Sequence, residues 1–241
     1  MTEAQAAPPP LDKPPREKFF SNFPVVVAAT AILLVGLYTA YFFAPFDDQQ
    51  STLFNFALAP ERFWAEAGSP KVYPDIQSAL LTLVSTSLLH GDWVHVIVNT
   101  LMLVQFGAPV SQALGPGIAG AGKWMLVFIV SIIAGSLLYL GLQDADGPYA
   151  VGASGGVSGL IAAAFLMDPY TWRKRTLWSR EFLLMTLYFI IINIVLVFGG
   201  PFVGLYVAWE AHAGGYIAGA ILMAVMPLRG LPARAPRAAE S

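Results

Sequence analysis

The 241-residue sequence has no cysteine, only three histidines and few charged residues. Without cysteine the chain has no disulfide, no thiolate nucleophile and no cysteine-based metal site. Charged residues make up 12% of the sequence and hydrophobic residues 56%, whereas about a quarter of the residues in soluble domains are charged. These values predict an integral membrane protein in contact with the lipid bilayer. The net charge of -2 gives no indication of nucleic-acid binding.

Six segments come near the ~20 apolar residues that a helix needs to cross a bilayer core of about 30 Å. The predicted spans are about 24–46, 93–112, 122–142, 153–168, 181–199 and 207–228. The predicted fold is therefore all-α, a polytopic membrane protein built as a six-helix bundle. The fourth span is short and rich in glycine, which suits a helix surrounded by other helices. A long connection, about 47–92, separates the first two spans, and its apolar piece at 76–89 is expected to be interfacial or re-entrant.

Lysine and arginine are concentrated on one side of the predicted membrane. All of them except Arg62 and Lys71 lie in the two tails or in and beside the connections after the second and fourth spans. The positive-inside rule therefore predicts that both termini are cytoplasmic and that the long first connection is outside. We expect a cytoplasmic tail at 1–22, a membrane domain at 23–228 and a second tail at 229–241. The N-terminal tail is polar and shows no signal or transit peptide, so the expected location is the bacterial plasma membrane.

Four polar residues fall near the outer ends of the second, fourth and sixth spans, which all run inward. His95 and Asn99 belong to the second span, Ser154 opens the fourth, and His212 lies near the start of the sixth. Polar side chains at membrane depth are costly unless they are paired, so they indicate a functional site. A serine beside an imidazole is the minimal set for nucleophilic acyl transfer, and His95 and Asn99 would supply donors for the oxyanion.

Glycines support a close approach of the fourth and sixth spans. They are spaced four residues apart in both, at Gly155 and Gly159 and at Gly215 and Gly219. This small-xxx-small spacing lets helix backbones approach closely, as a serine and an imidazole require for a hydrogen bond.

The pattern Gly-x-Ser-Gly occurs twice, at 152–155 and at 156–159, so that Ser154 and Ser158 are both candidate nucleophiles. Ser154 follows Gly152 at the mouth of the helix, where water for a hydrolytic step arrives more easily. Ser158 lies one turn deeper and is interpreted as a small packing residue.

Three motifs, in this order, resemble those of the rhomboid intramembrane serine proteases: HGDWVHVIVN at 90–99, GASG at 152–155 and AHAGGYIAG at 211–219. The resemblance extends over about 24–228. It implies that Ser154 is the nucleophile, that His212 is the general base, and that His95, Asn99 and the Ser154 N–H hold the oxyanion. It implies that no metal or other cofactor takes part. It also implies that the substrates are transmembrane helices of other proteins, cut near the outer face. Many members have an aromatic residue where Ser158 stands here.

Other hypotheses stay open at this point. A rhomboid-like protein without catalytic activity would bind membrane helices without cutting them. A transporter or channel would usually show an inverted repeat or a charged site at mid-membrane, and neither is apparent. A separate alternative for His95 and Asn99 is that they only tie the second helix to a neighbour. A metal site formed by His90, His95 and His212 lacks a carboxylate or further histidine at ligand spacing.

Overall fold

The computed structural model describes residues 23–66, 69, 72–168, 173–203 and 206–228. The predicted tails, 1–22 and 229–241, lie outside these residues. Within them the chain folds into α-helices joined by loops and two short 3₁₀ turns, Thr86–Leu88 and Gly200–Val203. The α-helices are α1 (Val25–Phe42), α2 (Phe46–Phe56), α3 (Pro60–Phe63), α4 (Ile76–Ser85), α5 (Trp93–Leu114), α6 (Gly117–Leu142), α7 (Ser154–Phe165), α8 (Arg180–Gly199) and α9 (Trp209–Val225).

The predicted spans correspond to α1, α5, α6, α7, α8 and α9. Among the described residues, four helical segments are long and apolar enough to cross a membrane: α1, α5, α6 and the segment Arg180–Phe202 that contains α8. The helices α7 and α9 are shorter, with 12 and 17 residues, so α7 is only about 18 Å long at 1.5 Å per residue. The all-helical polytopic fold class is confirmed.

The short helix α7 lies at the centre of the bundle, as its glycine content predicts. It packs on α5, α6 and α9, and all residues from 155 to 160 are buried. On the side of α5 and α6, the Trp124 indole donates a hydrogen bond of 2.9 Å to the Gly107 carbonyl. A Cβ at Gly107 would lie only 3.1 Å from that indole ring, so glycine permits the contact. A short helix enclosed in this way does not need a full hydrophobic length facing lipid.

The long first connection folds over one end of the bundle. Its apolar piece forms α4, which is capped by Asp75: the carboxylate accepts a 2.6 Å hydrogen bond from the Ser78 N–H. The sequence analysis did not predict α2. Next to it the Arg62 guanidinium lies between the rings of Phe54 and Tyr73, at 3.9 and 4.0 Å from their centroids. The described residues of the connection therefore form a cover for that end of the bundle.

Basic residues stabilise the opposite end of the bundle. Lys174 donates a 2.9 Å hydrogen bond to the carbonyl of Ala224 in the last turn of α9. Arg175 donates to the Phe165 and Met167 carbonyls at the end of α7, at 3.2 and 2.6 Å. Helix C-termini have unpaired carbonyls and a partial negative charge. These cations donate hydrogen bonds to the carbonyls and offset the charge. The assignment of this end to the cytoplasm stays a prediction.

Candidate functional site

The helices α7 and α9 pack backbone to backbone. A Cβ added to Gly215 would collide with the Gly155 carbonyl, and one added to Gly219 would collide with the Gly159 carbonyl. The paired residue numbers rise together, so the two helices are parallel, and their N-terminal ends lie at the same end of the bundle. Each glycine weakens an isolated helix by about 1 kcal/mol relative to alanine. The close packing that the glycines permit offsets this cost.

This pairing brings the start of α7 next to the first turn of α9. Ser154 precedes Gly155 by one residue and His212 precedes Gly215 by three, so their heights along the helices differ by about 3 Å. A Cβ at Gly155 would lie 3.3 Å from the carbonyl oxygen of Ala211, the neighbour of His212. Ser154 and Ala211 also line one cavity of about 20 Å³, which is the size that holds a single water.

The two candidate serines have different surroundings. Ser154 is half-buried and lines that cavity. Ser158 is only 4% exposed, lies in the buried middle of α7 and is not among the residues that line the cavity. Of the two serines, Ser154 is therefore the more accessible.

The loop before Ser154 is held in place by the first connection. Gly152 has a φ of +120°, a conformation that side-chain-bearing residues rarely adopt, and its N–H donates to the Thr86 carbonyl at 2.9 Å. Ala150 and Leu58 exchange backbone hydrogen bonds of 2.9 and 3.2 Å, and the Thr86 hydroxyl donates to the Ala150 carbonyl. The first N–H groups of an α-helix have no partner within the helix, and this loop fixes the backbone at the point where α7 begins.

His95 and Asn99 face the same loop from the start of α5. The helix begins after Asp92, whose carboxylate accepts a 2.8 Å hydrogen bond from the His95 N–H. A Cβ at Gly152 would lie 2.6 Å from His95 Nε2 and 3.7 Å from Asn99 Nδ2. Asn99 Nδ2 donates one hydrogen to the His95 carbonyl at 3.1 Å, which leaves its second hydrogen available. Both side chains thus present nitrogen atoms to the residues just before Ser154.

His90 lies behind His95 in the packed end of the bundle. Its ring is 1% exposed and contacts the His95 ring edge-on at 5.1 Å between centroids. Burial, together with the neighbouring His95, lowers the pKa of the His90 imidazole to about 3. His90 is therefore neutral at physiological pH. Among the described residues, no group of three or more histidine, aspartate or glutamate side chains is arranged to hold a metal ion.

One residue of the site was missed by the sequence analysis. Asn193 on α8 has its Oδ1 atom 2.6 Å from Nδ1 of His212, and its Nδ2 atom donates to the Phe189 carbonyl at 2.8 Å. The signal was present in the sequence, because Asn193 is a lone amide in a long apolar segment and polar residues at membrane depth indicate function. Its partner, however, is on another helix and becomes visible only in the folded chain.

An apolar cavity of about 390 Å³ lies beside this contact, between α8 and α9. Its walls include Asn193 and Ile194 of α8 and Trp209 and Ala213 of α9. In the long apolar segment that contains α8 only 6% of the apolar stretch is buried, whereas in α6 the buried share is 44%. Of the four long apolar segments, the one that carries Asn193 beside His212 is therefore the least buried.

Comparison with known proteins gives a family for the chain. The Rhomboid domain family matches residues 77–229, more than half of the chain, and this range contains Ser154, His212, His95 and Asn99. The RHOMBOID-like protein 5 of Arabidopsis thaliana is 33% identical over 149 residues, which cover 61% of this chain and 44% of that protein. The chain thus spans less than half the length of this relative. With its helical membrane fold, the chain belongs to the Rhomboid family.

Proposed function

We propose that the chain is an intramembrane serine endopeptidase that cleaves transmembrane segments of other proteins near the outer face of the membrane. The observation that carries the proposal is the position of Ser154. It stands at the N-terminus of α7, on the wall of a small cavity, beside the first turn of α9 that carries His212. His95 and Asn99 present nitrogen atoms from the other side. A serine, an imidazole and two donors are the groups that acyl transfer requires.

In the proposed reaction His212 accepts the hydroxyl proton of Ser154 as the serine oxygen attacks the substrate carbonyl. The resulting oxyanion is held by His95, Asn99 and the Ser154 N–H, and each such donor contributes about 2.7–4 kcal/mol to lowering the barrier. His212 then gives its proton to the leaving amine. Water hydrolyses the acyl-enzyme, with His212 again acting as the base. All these groups belong to the chain itself, and no cofactor takes part.

Access in this proposal is lateral, from the bilayer, beside α8. An intact transmembrane helix keeps its carbonyls hydrogen-bonded and shielded, so the substrate has to unwind locally before it is attacked. Small, helix-weakening residues at the cleavage site would favour this unwinding. The cytoplasmic location of both termini and residence in a bacterial plasma membrane are parts of the same proposal.

The test is the cleavage of a model single-pass substrate by protein reconstituted in liposomes. We expect the wild type to cut, and Ser154→Ala and His212→Ala to lose measurable cleavage because each removes a group needed for covalent chemistry. Ser158→Ala is the matched control, a serine four residues away on the same helix, and it should still cut. Cleavage by Ser154→Ala at the wild-type rate would refute the assignment. A wild type that binds the substrate helix without cutting it would instead indicate a non-catalytic helix-binding protein.

A further inference from the structure

The amide of Asn193 has a defined orientation. Its Nδ2 atom lies 2.8 Å from the Phe189 carbonyl oxygen, which can only accept a hydrogen bond, so the NH₂ group must face that carbonyl. Its Oδ1 atom therefore faces Nδ1 of His212 at 2.6 Å. A carbonyl oxygen can only accept, so Nδ1 of His212 carries the hydrogen in this contact. In a neutral imidazole the other nitrogen, Nε2, is then the one with a free lone pair.

We propose that Asn193 is a positioning residue for His212, holding the imidazole in the tautomer whose Nε2 atom accepts the proton of Ser154. This inference rests on the proposed function and adds a third member to the serine and histidine. In serine hydrolases the third group fixes the tautomer and orientation of the base in the same way. Here the group is a neutral amide, and it comes from α8, whereas the serine and the base are on α7 and α9.

A merely structural role for Asn193 makes different predictions. The hydrogen bond between Asn193 and His212 also links α8 to α9, so its removal loosens that pair of helices. The chain offers a matched contact: the Thr186 hydroxyl on α8 lies 2.7 Å from the Tyr216 hydroxyl on α9. This second link joins the same two helices without touching His212. Thr186→Val therefore removes a comparable hydrogen bond between α8 and α9 and leaves the imidazole of His212 unaffected.

The first experiment measures cleavage kinetics of the full chain in liposomes for three variants. Asn193→Leu has a similar size but no acceptor. We expect kcat to fall by about 10–100-fold, as when the hydrogen-bond partner of a metal-ligating histidine is removed, with KM little changed. Asn193→Asp keeps an oxygen facing Nδ1 and should recover most of the activity. Thr186→Val should cut like the wild type. Equal rates for Asn193→Leu and Thr186→Val would overturn the inference.

The second experiment reads the tautomer without relying on activity. The chain has only three histidines, so the ring nitrogen signals of ¹⁵N-histidine-labelled protein can be assigned with His212→Ala. We expect the His212 ring to carry its hydrogen on Nδ1 in the wild type and in Thr186→Val, and to shift toward Nε2 or a mixture in Asn193→Leu. A tautomer that does not change in Asn193→Leu would contradict the positioning role.

The two readouts separate this inference from the proposed function. If the wild type neither cuts nor binds a serine-directed probe, the proposed function fails, and the inferred role of Asn193 in catalysis fails with it. If the wild type cuts while Asn193→Leu keeps both its rate and its His212 tautomer, the proposed function stands and only the inference is wrong.

Discussion

The helices α7 and α9 differ sharply from α8 in how the bundle holds them. The first two lie so close that no side chain fits between Gly155 and Gly215 or between Gly159 and Gly219. On α8 only Phe182 is buried among the described residues. The helix contacts α9 through hydrogen bonds at Thr186 and Asn193 and through the stacking of Phe182 and Phe189 on Tyr216. Ser154 and His212 thus stand on a closely packed, rigid pair of helices, whereas the adjacent helix α8 is little buried.

This difference suggests a division of tasks within the site. Catalytic groups must be held within a fraction of an ångström to act together, which the packing of α7 on α9 provides. In the proposed function a substrate helix reaches these groups from the bilayer, and a weakly packed neighbour is easier to displace. In the inference above, Asn193 connects the two parts, because a displacement of α8 would also remove the partner of His212.

The largest expected effect comes from breaking the rigid pair. Gly215→Leu places a side chain where the Gly155 carbonyl lies, and neither backbone can move without separating the two helices. We expect a loss of more than about 4 kcal/mol, in the exceptional range for single substitutions, and no folded, active protein. Circular dichroism and size-exclusion chromatography in detergent would detect the loss of folded protein.

The control for that experiment is Gly122→Ala on α6. A Cβ at this helical glycine has no atom within 4 Å, so the change should be neutral or stabilise by up to about 1 kcal/mol. A Gly215→Leu variant as stable as Gly122→Ala would show that the contact between α7 and α9 does not hold the bundle together.

A smaller effect is expected when the same substitution, leucine to alanine, is made on α7 and on α8. Leu160 on α7 is fully buried, whereas Leu187 on α8 is 51% exposed. Leu160→Ala should destabilise the protein by about 2–5 kcal/mol, as expected for a large core residue cut to alanine. Leu187→Ala should cost less than about 0.5 kcal/mol, as at a surface position. Equilibrium unfolding in mixed micelles gives both values, and equal costs would mean that α8 is packed as firmly as α7.

Much of the fold could be predicted from hydropathy, because a helix that crosses lipid must be long and apolar. The same reasoning placed Ser154 at the start of a helix, and glycine spacing indicated which helices approach each other. The helix α2 was missed although its sequence carries a start signal, with Asp47 and Asp48 in the first turn after Pro45. Its composition is too polar for a membrane span, so a search for long apolar segments passes over it.

The orientation of His212 could not be predicted in this way. In the proteases that the motifs resemble, many members have an aromatic residue at the position of Ser158 that packs against the imidazole. Nothing in the local sequence indicates what orients His212 here instead. The side chain that contacts the imidazole is Asn193, which lies 19 residues away in the chain. A hydrogen bond between two helices depends on their packing, which hydropathy and local spacing do not determine.

The most direct test of the central claim is to locate the reactive serine. Wild-type protein in liposomes is treated with a fluorophosphonate, which bonds covalently to an activated serine, and the modified peptide is identified by mass spectrometry. The account predicts one adduct, on Ser154, that is lost in His212→Ala and kept in Ser158→Ala. An adduct on Ser158, or labelling of Ser154 that persists in His212→Ala, would contradict it.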